Sequence, residues 1–238
     1  MTQIGAAMVL AAGFGTRMGD LTATRPKPLL PVLGRALIDH TLDHVTSAGA
    51  GRAVINLHYL GDLIRTHLSG RNAPNIVFSE EQPQILDTGG GVRHALPLLG
   101  PDPFFCLNSD AVWTGPNPLS QLQTAWRPEA MDALLLLVPR DRALGYTRPG
   151  DFFLDSDGGA PGRRADAPLA PEVFTGAQIL KPGVFEDAPN GAFSTNVIWD
   201  DLIAGGRLAA IRHPGHWVDV GTPAGLAEAE AALRNGAA

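Results

Sequence analysis

Cysteine is almost absent from this sequence. One cysteine, Cys106, occurs among 238 residues, so no disulfide can form within the chain. No group of cysteines and histidines has the spacing of a zinc site. Cys106 lies in the apolar run Phe104–Leu107, which indicates a buried strand residue rather than a reactive thiol. Small domains held together by disulfides or zinc are therefore excluded.

Long apolar runs and an excess of positive charge are absent as well. The apolar run Ala133–Val138 is far too short to cross a bilayer. No basic residue precedes the first apolar run, which leads into a glycine-rich loop, so a secretory signal is not expected. The net charge of −6 argues against nucleic acid or an anionic membrane as the main partner. We therefore expect a cytoplasmic protein that binds neither.

Apolar runs alternate with amphipathic segments along the chain, and 45% of the residues are hydrophobic. The expected strands are Ala6–Leu10, Ala53–Leu57, Ile76–Phe78, Phe104–Leu107, Ala133–Val138, Val173–Leu180 and Leu208–Arg212. The expected helices are Leu37–Ala48, Leu60–Leu68, Gly91–Leu99 interrupted by Pro97, Leu119–Trp126, Thr195–Ala204 and one capped by Thr222. Residues 145–171 are expected to form loops with one hairpin near 151–154. This alternation predicts an α/β fold with a mostly parallel sheet and helices on both faces.

A glycine-rich loop follows the first predicted strand. It reads Leu10-Ala11-Ala12-Gly13-Phe14-Gly15-Thr16-Arg17. Glycines there let backbone N–H groups approach phosphate oxygens at the carboxyl edge of the sheet, where ligands of such sheets bind. The dinucleotide fingerprint needs a small residue where Met18 stands, and no Gly-Lys-Ser/Thr follows for a Walker loop. A dehydrogenase is therefore disfavoured.

Two cations accompany this loop. Arg17 lies within it, and Lys27 lies between Pro26 and Pro28, which we expect to hold the backbone extended and to present an exposed lysine from a stiff segment. Arg17 and Lys27 can neutralise the negative charge that grows on a triphosphate during substitution. Both are candidate catalytic residues.

The loop 10–17 and the segment Pro26-Lys27-Pro28 together resemble the signature of the sugar-1-phosphate nucleotidyltransferase family, over nearly the whole chain. The resemblance implies one Rossmann-like domain, with nucleotide bound by about residues 1–140 and sugar by about 141–238. It implies a nucleoside triphosphate and a sugar 1-phosphate as partners, and Mg²⁺ as cofactor, with Mn²⁺ able to substitute. The short chain and the run Leu86–Gly91 are most similar to the branch that transfers uridylyl groups to N-acetylmuramic acid 1-phosphate in cell-wall recycling.

The resemblance also assigns nucleotide contacts. It places Gln82 against the base, where a side-chain amide can match the donor and acceptors of uracil. Asp87 is expected to cap the helix that begins near Thr88, and Gly89 to let the chain pass close to the base. The full expected set is Leu10, Ala11, Ala12, Gly13, Gly15, Thr16, Arg17, Lys27, Gln82, Asp87, Gly89 and Asn108.

Two aspartates are the candidate metal ligands. Asp110 follows the strand ending at Leu107, and Asp219 stands at another predicted strand end. Each could merely cap a turn, but the resemblance assigns both to the metal, and Mg²⁺ prefers one or two carboxylates together with phosphates. Asp110 joins Arg17 and Lys27 as a catalytic candidate. No general base is needed, because the attacking phosphate oxygen is already ionised.

The sugar side is carried by the resemblance alone. It points to Gly145, Thr175, Gly176 and Asn196. The Glu-Lys-Pro motif of larger relatives is missing, so Arg163 or Arg164 can supply the cation for the sugar phosphate, or both are solvated loop charges.

Other functions stay open at this point. The alternatives are another sugar-1-phosphate or phosphocholine nucleotidyltransferase using dTTP, CTP or GTP, or a non-catalytic nucleotide-sensing subunit. The presence of Lys27, Asp110 and Asp219 disfavours a sensor. A monomer or a small homo-oligomer is expected.

Overall fold

The computed structural model describes residues 3–155 and 159–236. Two parts of the sequence that were interpreted above lie outside this range. They are Met1 and Thr2, which precede the first apolar run, and residues 156–158 of the predicted loop region. The strands are β1 (Ala6–Leu10), β2 (Pro31–Val32), β3 (Arg35–Ala36), β4 (Arg52–Leu57), β5 (Asn75–Glu80), β6 (Phe104–Asn108), β7 (Ala111–Trp113), β8 (Ala133–Pro139), β9 (Ala143–Leu144), β10 (Phe152–Phe153), β11 (Gly162–Arg163), β12 (Glu172–Leu180), β13 (Leu208–Arg212) and β14 (Trp217–Asp219). The helices are α1 (Leu37–Ser47), α2 (Gly61–Leu68), α3 (Asp87–Leu99), α4 (Pro118–Ala125), α5 (Asn196–Ala204) and α6 (Pro223–Gly236).

A nine-stranded sheet forms the centre of the molecule. Its strands lie in the order β5-β4-β1-β6-β12-β8-β13, and the short strands β10 and β11 extend it beside β12. Neighbours are parallel from β5 to β6 and again between β8 and β13, whereas β12 is antiparallel to β6 and β8. The predicted α/β class with a mostly parallel sheet is confirmed, and β12 joins the two halves of the chain in one sheet.

Both faces of this sheet are covered. In β1, Ala7 and Val9 belong to one buried cluster, whereas Ala6 and Met8 belong to another on the opposite face. Alternate residues of a strand point to opposite faces, so a strand covered on both sides is apolar throughout. Cys106 in β6 is buried in the same way, and burial raises the pKa of its thiol to about 12. The structural interpretation of this cysteine is confirmed.

Helix α3 differs from the prediction. It begins at Asp87, close to the start expected near Thr88 and four residues before Gly91, and it continues through Pro97 to Leu99 without a break. Asp87 is its first residue rather than its cap, although its Oδ1 accepts from the Thr88 amide at 2.6 Å. The first turn of α3 contains glycines because the segment around Phe193, from the second half of the chain, packs against it. A Cβ on Gly89 would lie 2.4 Å from the ring of Phe193. Glycine has low helix propensity, but close packing selects it here.

A second, three-stranded sheet was not predicted. Strand β14 pairs antiparallel with β7 and parallel with β9. The register places Asp219 opposite Ala111, the residue after Asp110. The two predicted metal ligands are thus brought together by strand pairing between distant segments. Within the described ranges, no helix is both long enough and apolar enough to cross a membrane.

Candidate functional site

A first cavity of about 310 Å³ opens where β1 and β6 end. This is the carboxyl edge of the sheet, as expected for a ligand site of such a fold. Its lining includes Leu10, Ala11, Ala12, Gly13, Gly15, Thr16, Arg17, Lys27, Asp87 and Asn108 from the predicted set. It also includes Asn56, Glu81 and Ile85, which the sequence did not single out.

The glycine-rich loop folds back over the lysine segment at Gly15. Gly15 has φ +66, and a Cβ there would lie 3.0 Å from Cβ of Lys27 and 3.1 Å from Cγ2 of Thr22. The Thr22 hydroxyl donates to the Gly15 carbonyl at 3.1 Å and so closes the turn. Glycine is required here by both the left-handed backbone and the close packing.

A buried carboxylate ties two walls of the first cavity together. Glu81 is 0% exposed. Its Oε1 accepts from Asn56 Nδ2 at 2.6 Å, and its Oε2 accepts from the Leu86 amide at 2.7 Å. Asn56 Oδ1 in turn accepts from the Ala11 amide of the glycine-rich loop at 2.7 Å. The sequence offered no signal for this network, because its members become neighbours only when β1, β4 and β5 pair.

Lys27 differs from its predicted setting. It is 7% exposed, not solvent-exposed, and its Nζ lies 2.5 Å from Oδ2 of Asp110. Pro26 is extended, but Lys27 begins a short 3₁₀ turn to Leu29, so the expectation of an extended backbone was wrong at the lysine itself. The lysine is fixed by burial and by an ion pair as well as by its prolines.

A second cavity of about 600 Å³ adjoins the first. Both predicted metal ligands line it, Asp110 with its side chain 33% exposed and Asp219 with 18%. A Cβ on Gly221 would lie 2.8 Å from Arg17 Nη1 and 2.9 Å from Asp219 Oδ1, so this guanidinium and this carboxylate both lie close to the glycine. The residues that line both cavities are Leu10, Arg17, Thr88, Asn108 and Asp110.

The donor chemistry at this junction fits a hard divalent cation. Asp110 and Asp219 offer carboxylate oxygens to the same cavity. In the part of the chain that the structure describes, no group of three or more acidic, histidine or cysteine residues could hold a metal. Two carboxylates without a full protein cage suit Mg²⁺, which completes its shell with phosphates and water.

Several predicted residues do not line either cavity. Gln82 is exposed outside both, while its neighbour Glu81 lines the first. Gly89 packs on Phe193, and Thr175 is buried with its hydroxyl donating to the Leu136 carbonyl.

Two further glycines act as spacers beneath the site. A Cβ on Gly145 would lie 3.1 Å from the Asp219 carbonyl, and one on Gly176 would lie 2.7 Å from Asn108 Nδ2. Both have φ in the left-handed region, at +71 and +81. Of the predicted sugar-side residues, Asn196 lines the second cavity.

Comparison with known proteins gives a consistent result. The family model described as "MobA-like NTP transferase domain" matches residues 7–234. The chain is 44% identical over 233 residues to an N-acetylmuramate alpha-1-phosphate uridylyltransferase of Caulobacter vibrioides, covering 95% of this chain and 96% of that protein. It is 37% identical over 236 residues to the protein of that name from Neisseria meningitidis serogroup B, covering 94% and 96%. The inositol-1-phosphate CTP transferase of T. maritima shares the fold, with a TM-score of 0.80, 17% identity and coverage of 99% of this chain and 98% of the other.

Proposed function

Because the chain belongs to the MobA-like NTP transferase domain family, we propose that it is a uridylyltransferase that converts UTP and N-acetylmuramic acid 1-phosphate into UDP-N-acetylmuramic acid and pyrophosphate. The observation that carries this proposal is the junction of the two cavities, where Arg17, Lys27, Asp110 and Asp219 converge. The two relatives that support the uridylyl and muramic acid assignment match nearly the whole chain.

The two cavities suit two substrates that react where they meet. UTP would occupy the first, with its triphosphate against the amides of the glycine-rich loop, and the sugar 1-phosphate would occupy the second. An oxygen of the sugar phosphate attacks the α-phosphorus of UTP, a new phosphoanhydride bond forms, and the bond to the β-phosphate oxygen breaks with release of pyrophosphate. The reaction needs no proton transfer, so positioning and charge neutralisation carry the catalysis.

The cations at the junction supply that neutralisation. Lys27 is buried beside Asp110, and Arg17 lines both cavities. Fixed positive charges in a site of low dielectric stabilise charge that develops in the transition state without reorganising. Asp110 and Asp219 would hold Mg²⁺, which when bound supplies further positive charge at the phosphates.

The preference for uridine rests on the relatives rather than on Gln82. Both are named uridylyltransferases. Gln82 is exposed outside the first cavity, whereas Ile85, Asp87 and Thr88 line it. We therefore assign contact with the base to the segment 85–88, with Gln82 kept as a predicted contact. The proposed place of the enzyme is the recycling of cell-wall precursors in the cytoplasm.

A release assay for pyrophosphate tests this proposal. UTP, CTP, GTP, ATP and dTTP are each combined with N-acetylmuramic acid, N-acetylglucosamine, glucose and mannose 1-phosphates, and the specificity constants are compared. We expect UTP with N-acetylmuramic acid 1-phosphate to give the highest value, and turnover to stop after chelation and to return with Mg²⁺ or Mn²⁺. A preferred purine would reject the base assignment, and full activity after exhaustive chelation would reject the metal.

A further inference from the structure

The second cavity is lined by as many arginines as aspartates, the latter being Asp110, Asp151, Asp200 and Asp219. Four arginines line it: Arg17, Arg148, Arg163 and Arg164. Arg17 also lines the first cavity, so it lies at the junction where the sugar phosphate must meet the α-phosphorus. The other three line the second cavity alone and can contact other parts of the sugar.

Arg148 belongs to the phosphate end. Its Nη2 lies 3.9 Å from Oδ2 of Asp219, the predicted metal ligand, and its guanidinium lies over the ring of Tyr146 at 4.7 Å. This contact places Arg148 beside the predicted metal ligand, near the proposed position of the anomeric phosphate.

Arg164 belongs to the loop. Its Nε donates to the Gly150 carbonyl at 3.1 Å and its Nη1 donates to the Ala167 carbonyl at 2.8 Å. These bonds hold the backbone that borders the cavity. Arg164 is therefore a structural cation in this site.

Arg163 is held differently. Its guanidinium lies over the rings of Phe152 at 5.2 Å and Trp199 at 5.6 Å, and the pairing of Phe152 with Arg163 puts both side chains on one face of the hairpin. Nη1 donates to Asn196 Oδ1 at 3.0 Å, and Nε lies 3.5 Å from Oδ1 of Asp200. Its side chain remains 30% exposed. Aromatic rings and two polar partners thus orient a planar cation that still has donors for a ligand.

The start of helix α5 completes an anion-binding arrangement beside Arg163. Ser194, Thr195 and Asn196 line the second cavity at the positive end of this helix, whose first turn contains no acidic residue. Thr195 is 3% exposed, and its hydroxyl has no hydrogen-bond partner among residues 3–155 and 159–236. A buried donor left without a partner costs free energy, so it points to a ligand atom.

Two carboxylates, Asp151 and Asp200, also border this region, and neither takes the place of an anionic ligand on Arg163. Asp151 is used internally, since it accepts from the Tyr146 hydroxyl at 3.2 Å and from the Phe174 amide at 3.0 Å. Asp200 has a side chain 59% exposed, and its Oδ1 lies 3.5 Å from Nε of Arg163. Solvent screens its charge, so it orients the guanidinium more than it neutralises it.

N-acetylmuramic acid differs from N-acetylglucosamine by a lactyl ether on C3, whose carboxylate is ionised at neutral pH and projects from a different part of the ring than the phosphate on C1. We propose that Arg163, with the first turn of α5, binds this carboxylate and selects the acidic sugar over its neutral counterpart. The inference rests on the proposed function, because it assigns one group of the proposed substrate to one side chain. A guanidinium suits this task because it can meet a carboxylate with two parallel donors.

The test measures a ratio within each protein. Specificity constants for N-acetylmuramic acid 1-phosphate and N-acetylglucosamine 1-phosphate are measured with saturating UTP in the wild type, Arg163→Gln, Arg163→Lys and Arg148→Gln. We expect Arg163→Gln to lower the ratio of the two constants by roughly 10- to 100-fold, the range for a lost hydrogen bond to a charged group. Arg163→Lys should lower this ratio less, because lysine keeps the positive charge but lacks the two parallel donors of the guanidinium.

Arg148→Gln is the matched control, an arginine of the same cavity that also lies over an aromatic ring. It should lower both constants and leave their ratio within about twofold of the wild type, the usual error of additivity. Partial misfolding cannot mimic the effect, since both constants come from one preparation. An unchanged ratio in Arg163→Gln, or an equal change in Arg148→Gln, would overturn this inference alone. A wild type inactive on N-acetylmuramic acid 1-phosphate would overturn the proposed function and this inference with it.

Discussion

Replacement of Glu81 by glutamine should damage both folding and nucleotide use. The carboxylate is fully buried and accepts two hydrogen bonds, from the Asn56 side chain and the Leu86 amide. Glutamine has nearly the same shape but presents an NH₂ group in place of one acceptor oxygen. One of the two donors must then face another donor.

Neither partner can adapt by rotation. The Asn56 amide is fixed because its Oδ1 accepts from the Ala11 amide at 2.7 Å, so a flip would leave Ala11 facing a donor. The Leu86 donor belongs to the backbone. Loss of one charge-assisted bond and one unsatisfied buried donor together cost about 2–4 kcal/mol. In a protein of this size, 1 kcal/mol shifts the melting temperature by roughly 2–4 °C, so we expect a fall of about 4–16 °C.

The kinetic effect follows from the Ala11 end of this network. Ala11 belongs to the glycine-rich loop and lines the first cavity. A displaced loop amide misplaces the triphosphate, so kcat/KM for UTP should fall by roughly 10- to 100-fold. Glu81 acts here as a positioning residue. The fall in kcat/KM of Glu81→Gln should therefore appear when the UTP concentration is varied, and it should be similar for every sugar 1-phosphate.

The neighbouring glutamate provides the control. Glu80 is exposed, pairs with Arg65 at the surface and lines neither cavity. Glu80→Gln should change stability by no more than about 0.5–1 kcal/mol, as exposed ion pairs do. The assays are thermal unfolding by circular dichroism and steady-state kinetics. If Glu81→Gln melts and turns over like Glu80→Gln, the buried network does not organise the site and this reasoning is refuted.

Two further predictions concern charge and pH. Lys27→Ala should lower kcat/KM for UTP, which corresponds to a loss of transition-state stabilisation on the order of 2–4 kcal/mol. Lys27→Arg should lose less. Because Lys27 is buried against Asp110, the melting temperature of the Lys27→Ala variant should also fall. Normal turnover of this variant with an unchanged melting temperature would contradict the role of Lys27. Burial lowers the pKa of His44 from its ordinary 6.5 to about 4, so the folded state keeps the neutral ring and the unfolded state takes up a proton first. Stability should therefore be complete above pH 6.5 and decline by up to about 3 kcal/mol as pH falls towards 4. His44→Phe, which keeps the edge contact with Trp113, should show a shallower decline in melting curves recorded across that range, and an identical slope would exclude His44 as the cause.

Local sequence determined much of the fold. The apolar runs at residues 6–10, 104–107 and 208–212 became β1, β6 and β13 with bounds at or near those expected. Thr222 and Pro223 likewise indicated where α6 begins, and the helix begins at Pro223. Burial on both faces, turn glycines and helix starts are set by residues close in sequence, so patterns of a few residues are enough to predict them. The glycine-rich loop and its likeness to a family likewise needed only contiguous residues.

The tertiary structure decided what the site contains. Asp219 reaches Asp110 through the register of β14 against β7, and Glu81 reaches Ala11 through Asn56 in a neighbouring strand. The order of the strands, including the antiparallel β12 between β6 and β8, sets which distant segments meet. Local periodicity does not encode that order, because an apolar strand pairs equally well with many partners until side chains pack on both faces. Lys27 became a buried ion pair and Gln82 an exposed residue for that physical reason.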